Sequence, residues 1–554
     1  MSIELLARNE ENNPNRATKN EPSHQLHNSF LEFEQAATGG CDFCGLVLEC
    51  FQRTPLTRRK GDLWPRNQTV AKGEPGTMYD MAKVYNLPDK IRLESSHELY
   101  HKTIEATCVW DLLPVRTAPT DMIPLLELTI SAHESRQPTL GKFRIGRLPI
   151  ETDLGSARTH AVARKWLSEC QRSHDKCSSS RLPLLPRRVI DVGTSSQRSR
   201  LVMYQNKRAP YVALSHCWGG NIPTKLVRET LIPFGRELPP LPANFEDAIT
   251  ITRELGICYL WIDCLCIIKD SLEDWSVESA KMGELYRSST VTLFALSSKA
   301  STNRIPKSTP CPTYSFGSAL IRVFDDERNT DTVRVKHNTQ DNDRDLRSAE
   351  TASTLTKRGW VMQETILAHH QLCYSTSQIF WTCPEKFRAM NGICAPVLSH
   401  EVWPVTMRVL HEKRLRHDSI DEIEKKAFLL EYYELVRAYS HRNLTFAADL
   451  LPAFTGITVI LDVVIPGKYL AGLWSEDLHR GLFWATSEAT QPLQYYRGPS
   501  WSWVASKLPD PTTFDLKLLN HDITPRRSGN FFGEIKAASL TVEAFTMPIS
   551  SSAE

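Results

Sequence analysis

Four short stretches constrain this chain more than anything else in it: "YVALS" (211–215), "ICYLWID" (257–263), "STVTLFALSS" (289–298) and "HQLCYS" (370–375). Each is apolar almost throughout, without the in–out alternation of a strand that keeps one face in water. A strand of this kind is buried on both faces, the signature of a parallel sheet sandwiched between helices. The intervening segments read as those helices. "NFEDAITITRELG" (244–256) has Asn244 as its expected N-cap and Gly256 as its stop. "EDWSVESAKMGELYRS" (273–288) places Trp275, Met282 and Tyr286 near one face, and "RGWVMQETIL" (358–367) is a third, shorter helix. "QIFWTC" (378–383) adds a candidate fifth strand. The expected class is α/β, a doubly wound parallel sheet over 206–385, interrupted by a polar insert at 299–356.

The rest is less regular. Residues 1–30 are polar and read as disordered. Residues 31–205 mix strand-like stretches near 107–130 with the helix "SARTHAVARKWLSECQRSHDKC" (156–177), and 386–554 is helical and then rich in short strands. With 554 residues, 41% of them hydrophobic, the chain is long enough for two to four cores of roughly 150 residues each. A net charge of +2 gives no footing for nucleic acid or an anionic membrane. The first 25 residues have no apolar core of a signal peptide. "FTGITVILDVVI" (454–465) is too short to span a bilayer and carries Asp462. The expectation is a soluble, cytoplasmic protein. The 14 cysteines, several inside apolar runs such as "GICYLWIDCLCII", read as reduced thiols rather than as a disulfide framework.

In an open parallel sheet, ligands bind beyond the carboxyl ends of the strands, where the winding reverses. The first strand here runs into Ser215-His216-Cys217-Trp218-Gly219, the second ends on Asp263, and the third helix opens with Arg358 and Trp360 and carries Glu364. Ser215, His216, Trp218, Asp263, Arg358 and Trp360 are therefore candidate ligand-binding residues. The bland alternative is that Trp218 and His216 merely plug the top of the sheet. Trp360 and Glu364 are four residues apart, on one helical face. A carboxylate desolvated against an indole gains proton affinity and can serve as acid, base or counter-ion to a cationic intermediate. The alternative is a solvent-facing glutamate paired with Arg358. Separately, Cys41 and Cys44, with Cys170, His174 and Cys177, supply acceptable zinc ligands at acceptable local spacings, set against a reading as buried free thiols. No phosphate-cradling Gly-x4-Gly-Lys-Ser loop, Gly-x-Ser-x-Gly elbow or His-Glu-x-x-His pair occurs.

"YVALSHCWGG", "LWIDCLCIIKDSLEDWSVESAKMGELYRSSTVTLFA" and "RGWVMQETILAHHQLCYSTSQIFWTC", in this order, resemble the heterokaryon-incompatibility (HET) domain of filamentous fungi. "YSHRNLTFAADLLPAFTGI", "YLAGLWSEDL" and "PSWSWVAS" extend the resemblance downstream. It implies an effector of non-self recognition and cell death, self-associating through this domain and answering to an incompatibility partner. HET domains are in turn distantly similar to TIR domains, which have a flavodoxin-like sheet and in some members cleave NAD. That similarity implies Glu364 in the position of the catalytic glutamate, Ser215 at the tip of the first strand, and NAD as substrate. "ALSSKASTNRIPKS" departs from the family in lacking its Gly-Leu-Phe after the third strand. Two other readings stay open: a non-catalytic docking module, and a HET fold reused in another fungal process such as a metabolite cluster.

Overall fold

The computed structural model describes residues 23–27, 30–53, 91–97, 103–111, 122–132, 139–140, 143–145, 147–148, 151, 153–177, 182–306, 318–324, 330–337, 346–396, 421–482, 497–505, 516–526 and 530–544, apart from 195, 221, 223, 393, 464, 466 and 531. The chain forms two compact units. One comprises Met1–Thr152, Thr309–Asn342 and Arg388–Pro396, the other Asp153–Ser308, Asp343–Phe387 and Val397–Glu554. The expected disorder of residues 1–30 falls almost wholly outside the described residues.

In the first unit an antiparallel sheet runs Ser23–His27, Ile91–His97, Thr103–Asp111, Met122–Ala132, Thr330–His337, Ser318–Phe324. The last two strands come from the polar insert. The helix Asp42–Arg53 packs across them and buries Phe43, Cys44, Leu46, Val47 and Cys50.

The second unit holds the parallel core foreseen in the sequence, extended by strands whose antiparallel pairing was not foreseen. Its strands are β1 (Arg188–Asp191), β2 (Arg200–Met203), β3 (Tyr211–Ser215), β4 (Tyr259–Trp261), β5 (Val291–Phe294), β6 (Gln371–Tyr374) and β7 (Ile379–Thr382), in the order β7-β6-β5-β3-β4-β1-β2. The block β4-β3-β5-β6 is parallel, and the flanking strands are antiparallel. Every residue of β3, β5, β6 and β7 is buried, which is why these runs are apolar without alternation.

Four helices matter for the site: α1 (Ala157–Ser173), α2 (Ala243–Glu254), α3 (Leu272–Ser288) and α4 (Val361–Leu367). The chain steps from β3 to β4 through α2 in one direction, and back over β3 to β5 through α3. Crossovers of this kind follow a right-handed rule, under which two running in opposite directions put their helices on opposite faces. Accordingly α2 packs with α1, and α3 packs with α4. The expected cap of α2 is displaced. Pro242 holds the N-cap position, while Asn244 lies inside the first turn, fully buried, its backbone N–H donating to Ser301 O at 3.0 Å. The foreseen stop at Gly256 is where the chain leaves the helix, at φ +75°.

A C-terminal helical layer fixes α4. Two further helices, α5 (Glu422–Ser440) and α6 (Thr455–Leu461), share one apolar cluster with Met362, Ile366 and Leu367 of α4. Burying side chains of this size contributes about 2 kcal/mol each, enough to hold a seven-residue helix that would not persist alone. Gly283 on α3 and Gly456 on α6 let the helices touch backbone to backbone, since a Cβ on Gly283 would fall 2.6 Å from Gly456 Cα. Among the described residues no helix is long and apolar enough to cross a membrane.

Candidate functional site

The parallel strand order reverses at β3, whose neighbours are β4 on one side and β5 on the other. Ser215 pairs with Phe294 at the carboxyl ends of this reversal, and the segments leaving the strands converge there. From β3 come His216, Cys217 and Trp218. From β4 comes Asp263, at the start of the helical turn Asp263–Cys266. Arg358 and Glu364 arrive from the α4 segment, and Tyr286 from the last turns of α3.

Asp263 organises one half. Its Oδ2 accepts from Trp218 Nε1 at 2.9 Å and its Oδ1 from the Cys264 backbone N–H at 2.7 Å, with His216 Nε2 3.9 Å from Oδ1. Lys269 Nζ stands 4.8 Å above the Trp218 ring. Burial works to raise the Asp263 pKa, but Lys269, His216, Arg358 and the Trp218 N–H together hold it below the ordinary carboxylate value. His216 is packed edge-on against Phe245, and burial lowers its pKa to about 4, so the imidazole is neutral at pH 7.

Glu364 organises the other half and is opposite in character. It is only 4% exposed, which excludes the reading as a solvent-facing helix glutamate. Desolvation raises its pKa to about 7, against the opposing influence of Arg358 and of the Ser215 and Tyr286 hydroxyls; the Asp263 charge adds to the rise. Tyr286 donates to Leu214 O at 3.2 Å, and Ser215 Oγ and Glu364 Oε2 are each left without a well-formed hydrogen bond. The site thus holds two carboxyl groups whose proton affinities are driven apart, one fixed as an anion and one near half-ionised at pH 7.

The neighbourhood also concentrates unsatisfied polarity. Ser215 Oγ, His216 Nε2, both side-chain atoms of Asn244, and Glu364 Oε2 are buried without a hydrogen-bond partner. Each such group costs about 1–3 kcal/mol, and folds rarely gather them without a reason.

The chain itself closes over this tip. Gly219, at φ +70°, lies so near residues 299–300 that an added Cβ would sit 2.1 Å from Ala300 Cβ. Ser301 N–H donates to Trp218 O at 3.3 Å, Ser297 and Ser298 hydroxyls donate to the Ile305 and Arg304 carbonyls, and Asp247 accepts from Arg304 and from the Ile305 N–H. The segment that departs from the family pattern after β5 is therefore a lid pinned to the strand ends. It does not displace α4: Glu364 still reaches Ser215.

Arg358 is placed from elsewhere. Its guanidinium donates to the His216 carbonyl, while its backbone bridges to Asn443 and its carbonyl accepts from Arg442 at 3.4 Å. Gly359 N–H donates to Asn443 O at 2.8 Å. The "SHRNL" stretch thus holds the entry to α4. Trp360 turns to that layer as well, its Nε1 donating to Asp449 at 3.0 Å and its ring meeting Trp275 edge-on. The cysteines here are no nucleophiles, because burial raises Cys217 and Cys264 and pushes Cys266 up to about 12.

Residues 211–364 match the family model described as Heterokaryon incompatibility protein (HET). The chain carries a HET domain. The matched span opens on β3 and closes on Glu364, so the HET domain contains both halves of the site, while Arg442 and Asn443, which position Arg358, lie outside it. No curated protein and no solved structure matches the chain.

Sequence reasoning did not single out Tyr286 or Asn244 for the site. Tyr286 reads as one more aromatic on a core-facing helix stripe, and Asn244 as a cap. Only their through-space neighbours give them another role.

Of the candidate metal ligands, Cys170, His174, Cys177 and a fourth residue, Cys383, come together in the second unit. Cys41 and Cys44 sit at the start of the first unit's helix Asp42–Arg53, where Cys44 N–H meets the Cys41 sulfur at 3.5 Å; they belong to none of the ligand groups found among the described residues. His216, Asp263 and Cys264 also cluster, but both Asp263 oxygens already accept N–H bonds and two cations stand nearby, which disfavours a metal there.

Proposed function

We propose that this chain is an effector of the heterokaryon-incompatibility type, signalling non-self recognition and cell death, and that its HET domain hydrolyses NAD with Glu364 as the catalytic residue. The observation that carries the chemistry is the buried Glu364 carboxyl, poised near pH 7 beside Ser215 at the reversal of the sheet. The parallel order β4-β3-β5-β6, in chain order second-first-third-fourth, supports a flavodoxin- or TIR-like reading of the domain.

In this reaction the bond between the ribose C1′ and the nicotinamide nitrogen breaks. Its electron pair leaves with the ring and neutralises the pyridinium charge. The Glu364 carboxylate lies against the oxocarbenium-like ribose and steadies the positive charge. Water then adds its oxygen to C1′ and gives up a proton to Glu364, which returns it to solvent. Neutral His216 and Ser215 supply hydrogen bonds to the sugar, and Arg358 and Lys269 supply positive charge for the diphosphate.

The test is nicotinamide release from NAD by the purified chain, wild type beside Glu364→Gln. The expected result is a loss of at least about 100-fold in the variant, with wild-type activity rising through pH 7 as the carboxylate forms. One observation favours a second reading, a self-associating or partner-docking module without catalysis: Ser215 is fully buried and the strand tip is covered by 295–306. Equal growth arrest by both forms in cells, with NAD levels unchanged, would decide for that module.

A further inference from the structure

We infer that Cys170, His174, Cys177 and Cys383 form a structural zinc site that clamps the HET domain from both of its sequence flanks. The four residues are buried, and their ligand atoms all lie within 4.8 Å of one another. The local backbone explains three of them. Helix α1 starts on Ser156, whose hydroxyl accepts from Thr159 N–H at 3.2 Å, and ends on His174, whose N–H still bonds back to Cys170 O at 3.3 Å. Cys170 and His174 therefore occupy successive turns on one face. A further turn, closed by Cys177 N–H to His174 O at 3.1 Å, returns Cys177 to the same side.

The fourth ligand comes from the residue after β7, and sequence spacing alone does not reveal it. His174 Nδ1 lies 3.4 Å from Cys383 Sγ and 3.8 Å from Cys177 Sγ. An ion bound tetrahedrally at about 2.3 Å to sulfur and about 2.0 Å to nitrogen places such ligand atoms about 3.5–3.8 Å apart, so the cage has the right size. Three sulfurs and an imidazole suit zinc better than the oxygen-seeking cations.

The surroundings fit a thiolate ligand. Cys383 sits in a tight turn in which its N–H donates to Lys386 O at 3.1 Å and Lys386 N–H points at its sulfur at 3.3 Å. An N–H aimed at sulfur stabilises the deprotonated form. The two ligand-bearing loops are also tied to each other, Lys176 N–H donating to Glu385 Oε1 at 2.6 Å. Left as mere packing, the arrangement would give the buried His174 Nδ1 only thiol sulfurs as partners, at 3.4 and 3.8 Å, and a thiol is a weak hydrogen-bonding group.

The clamp has a consequence for folding. His174 precedes the matched span 211–364 and Cys383 follows it, 209 residues on. Metal binding would close a loop containing the whole HET domain and hold α1 on β7, which it already contacts.

The experiment is metal analysis of the full chain purified from zinc-supplemented cells, by mass spectrometry after gel filtration in chelator. The expected content is about one zinc per chain for wild type and for Cys41→Ser, and less than about one tenth of that for Cys383→Ser. Because Cys383→Ser could misfold, the wild-type chain is also refolded with cobalt, which should give the thiolate charge-transfer band and the intense visible bands of a tetrahedral site. A folded wild-type chain without metal, iron in place of zinc, or a thiol titration showing a disulfide among these three cysteines would overturn the assignment.

Discussion

Ser215, the last residue of a central strand, and Glu364, in the first turn of a helix far along the chain, meet inside the fold, and neither Ser215 Oγ nor Glu364 Oε2 has a hydrogen-bond partner. A fold under no other demand would have replaced one of them. The pair carries an energetic cost that reaction chemistry would use, and the cost is measurable without any substrate.

Glu364 ionises at about 7 in the folded chain against 4.5 for the free side chain. Its folded-state proton affinity is raised, so its contribution is intact below pH 4.5 and is lost as pH climbs toward 7 and beyond. Glu364→Gln should therefore be more stable than wild type at pH 8, by up to about 3 kcal/mol, with the gap closing by pH 4.5. Urea midpoints across that range would show it. A variant less stable than wild type at pH 8 would mean that the carboxylate is well solvated after all.

His216 carries the opposite sign. Burial lowers its pKa from 6.5 to about 4, so the unfolded chain takes up a proton that the folded chain refuses. Its stabilising contribution is present above pH 6.5 and is lost as pH falls toward 4. His216→Gln should flatten the stability loss over this window by up to about 3 kcal/mol relative to wild type. Parallel acid-unfolding curves for the two proteins would contradict the burial of a neutral imidazole.

Gly219 combines a left-handed backbone with contact against the lid at Ala300. Gly219→Ala should cost about 1–3 kcal/mol, read from the denaturant midpoint, and should speed protease cleavage within 295–306 as the lid lifts. A neutral substitution would show that the lid is not seated on the strand tip.

Arg188, only 1% exposed, donates to Asp274 at 2.5 Å and to Cys266 O at 2.6 Å and lies 3.7 Å from Glu278. Arg188→Met takes from Glu278 its arginine and leaves Asp274 only the more exposed Arg187 at 3.5 Å and the Ile268 N–H, and should cost about 3–5 kcal/mol at neutral pH, as a drop in denaturant midpoint. Adding Asp274→Asn and Glu278→Gln to the same chain should recover most of the loss. If the triple variant is no better than the single one, the arginine acts through packing rather than charge.

How much was readable in advance follows from the range of the forces involved. The strands around Val212, Leu260, Leu293 and Leu372 were legible because double-sided burial writes an unbroken apolar run into a few consecutive residues. Gly256 was legible as a helix stop for the same local reason. Asn244 misled, because a residue suited to capping lies two positions past the N-cap, its N–H bonded to the loop at Ser301. Cys383 stood in a strand-like stretch with nothing nearby to mark it as the fourth of a set.

The sequence by itself determined the parallel core of the sheet, its strand ends and the HET domain, because these depend on side-chain character and spacing over short segments. Only the tertiary structure decided that Glu364 is desolvated while Asp263 stays charged, that Trp360 turns toward Asp449, and that Cys383 rather than Cys41 or Cys44 joins His174. Proton affinity and ligand geometry are set by whatever atoms lie within a few ångströms, and in this chain those atoms come from segments 45 to 209 residues apart.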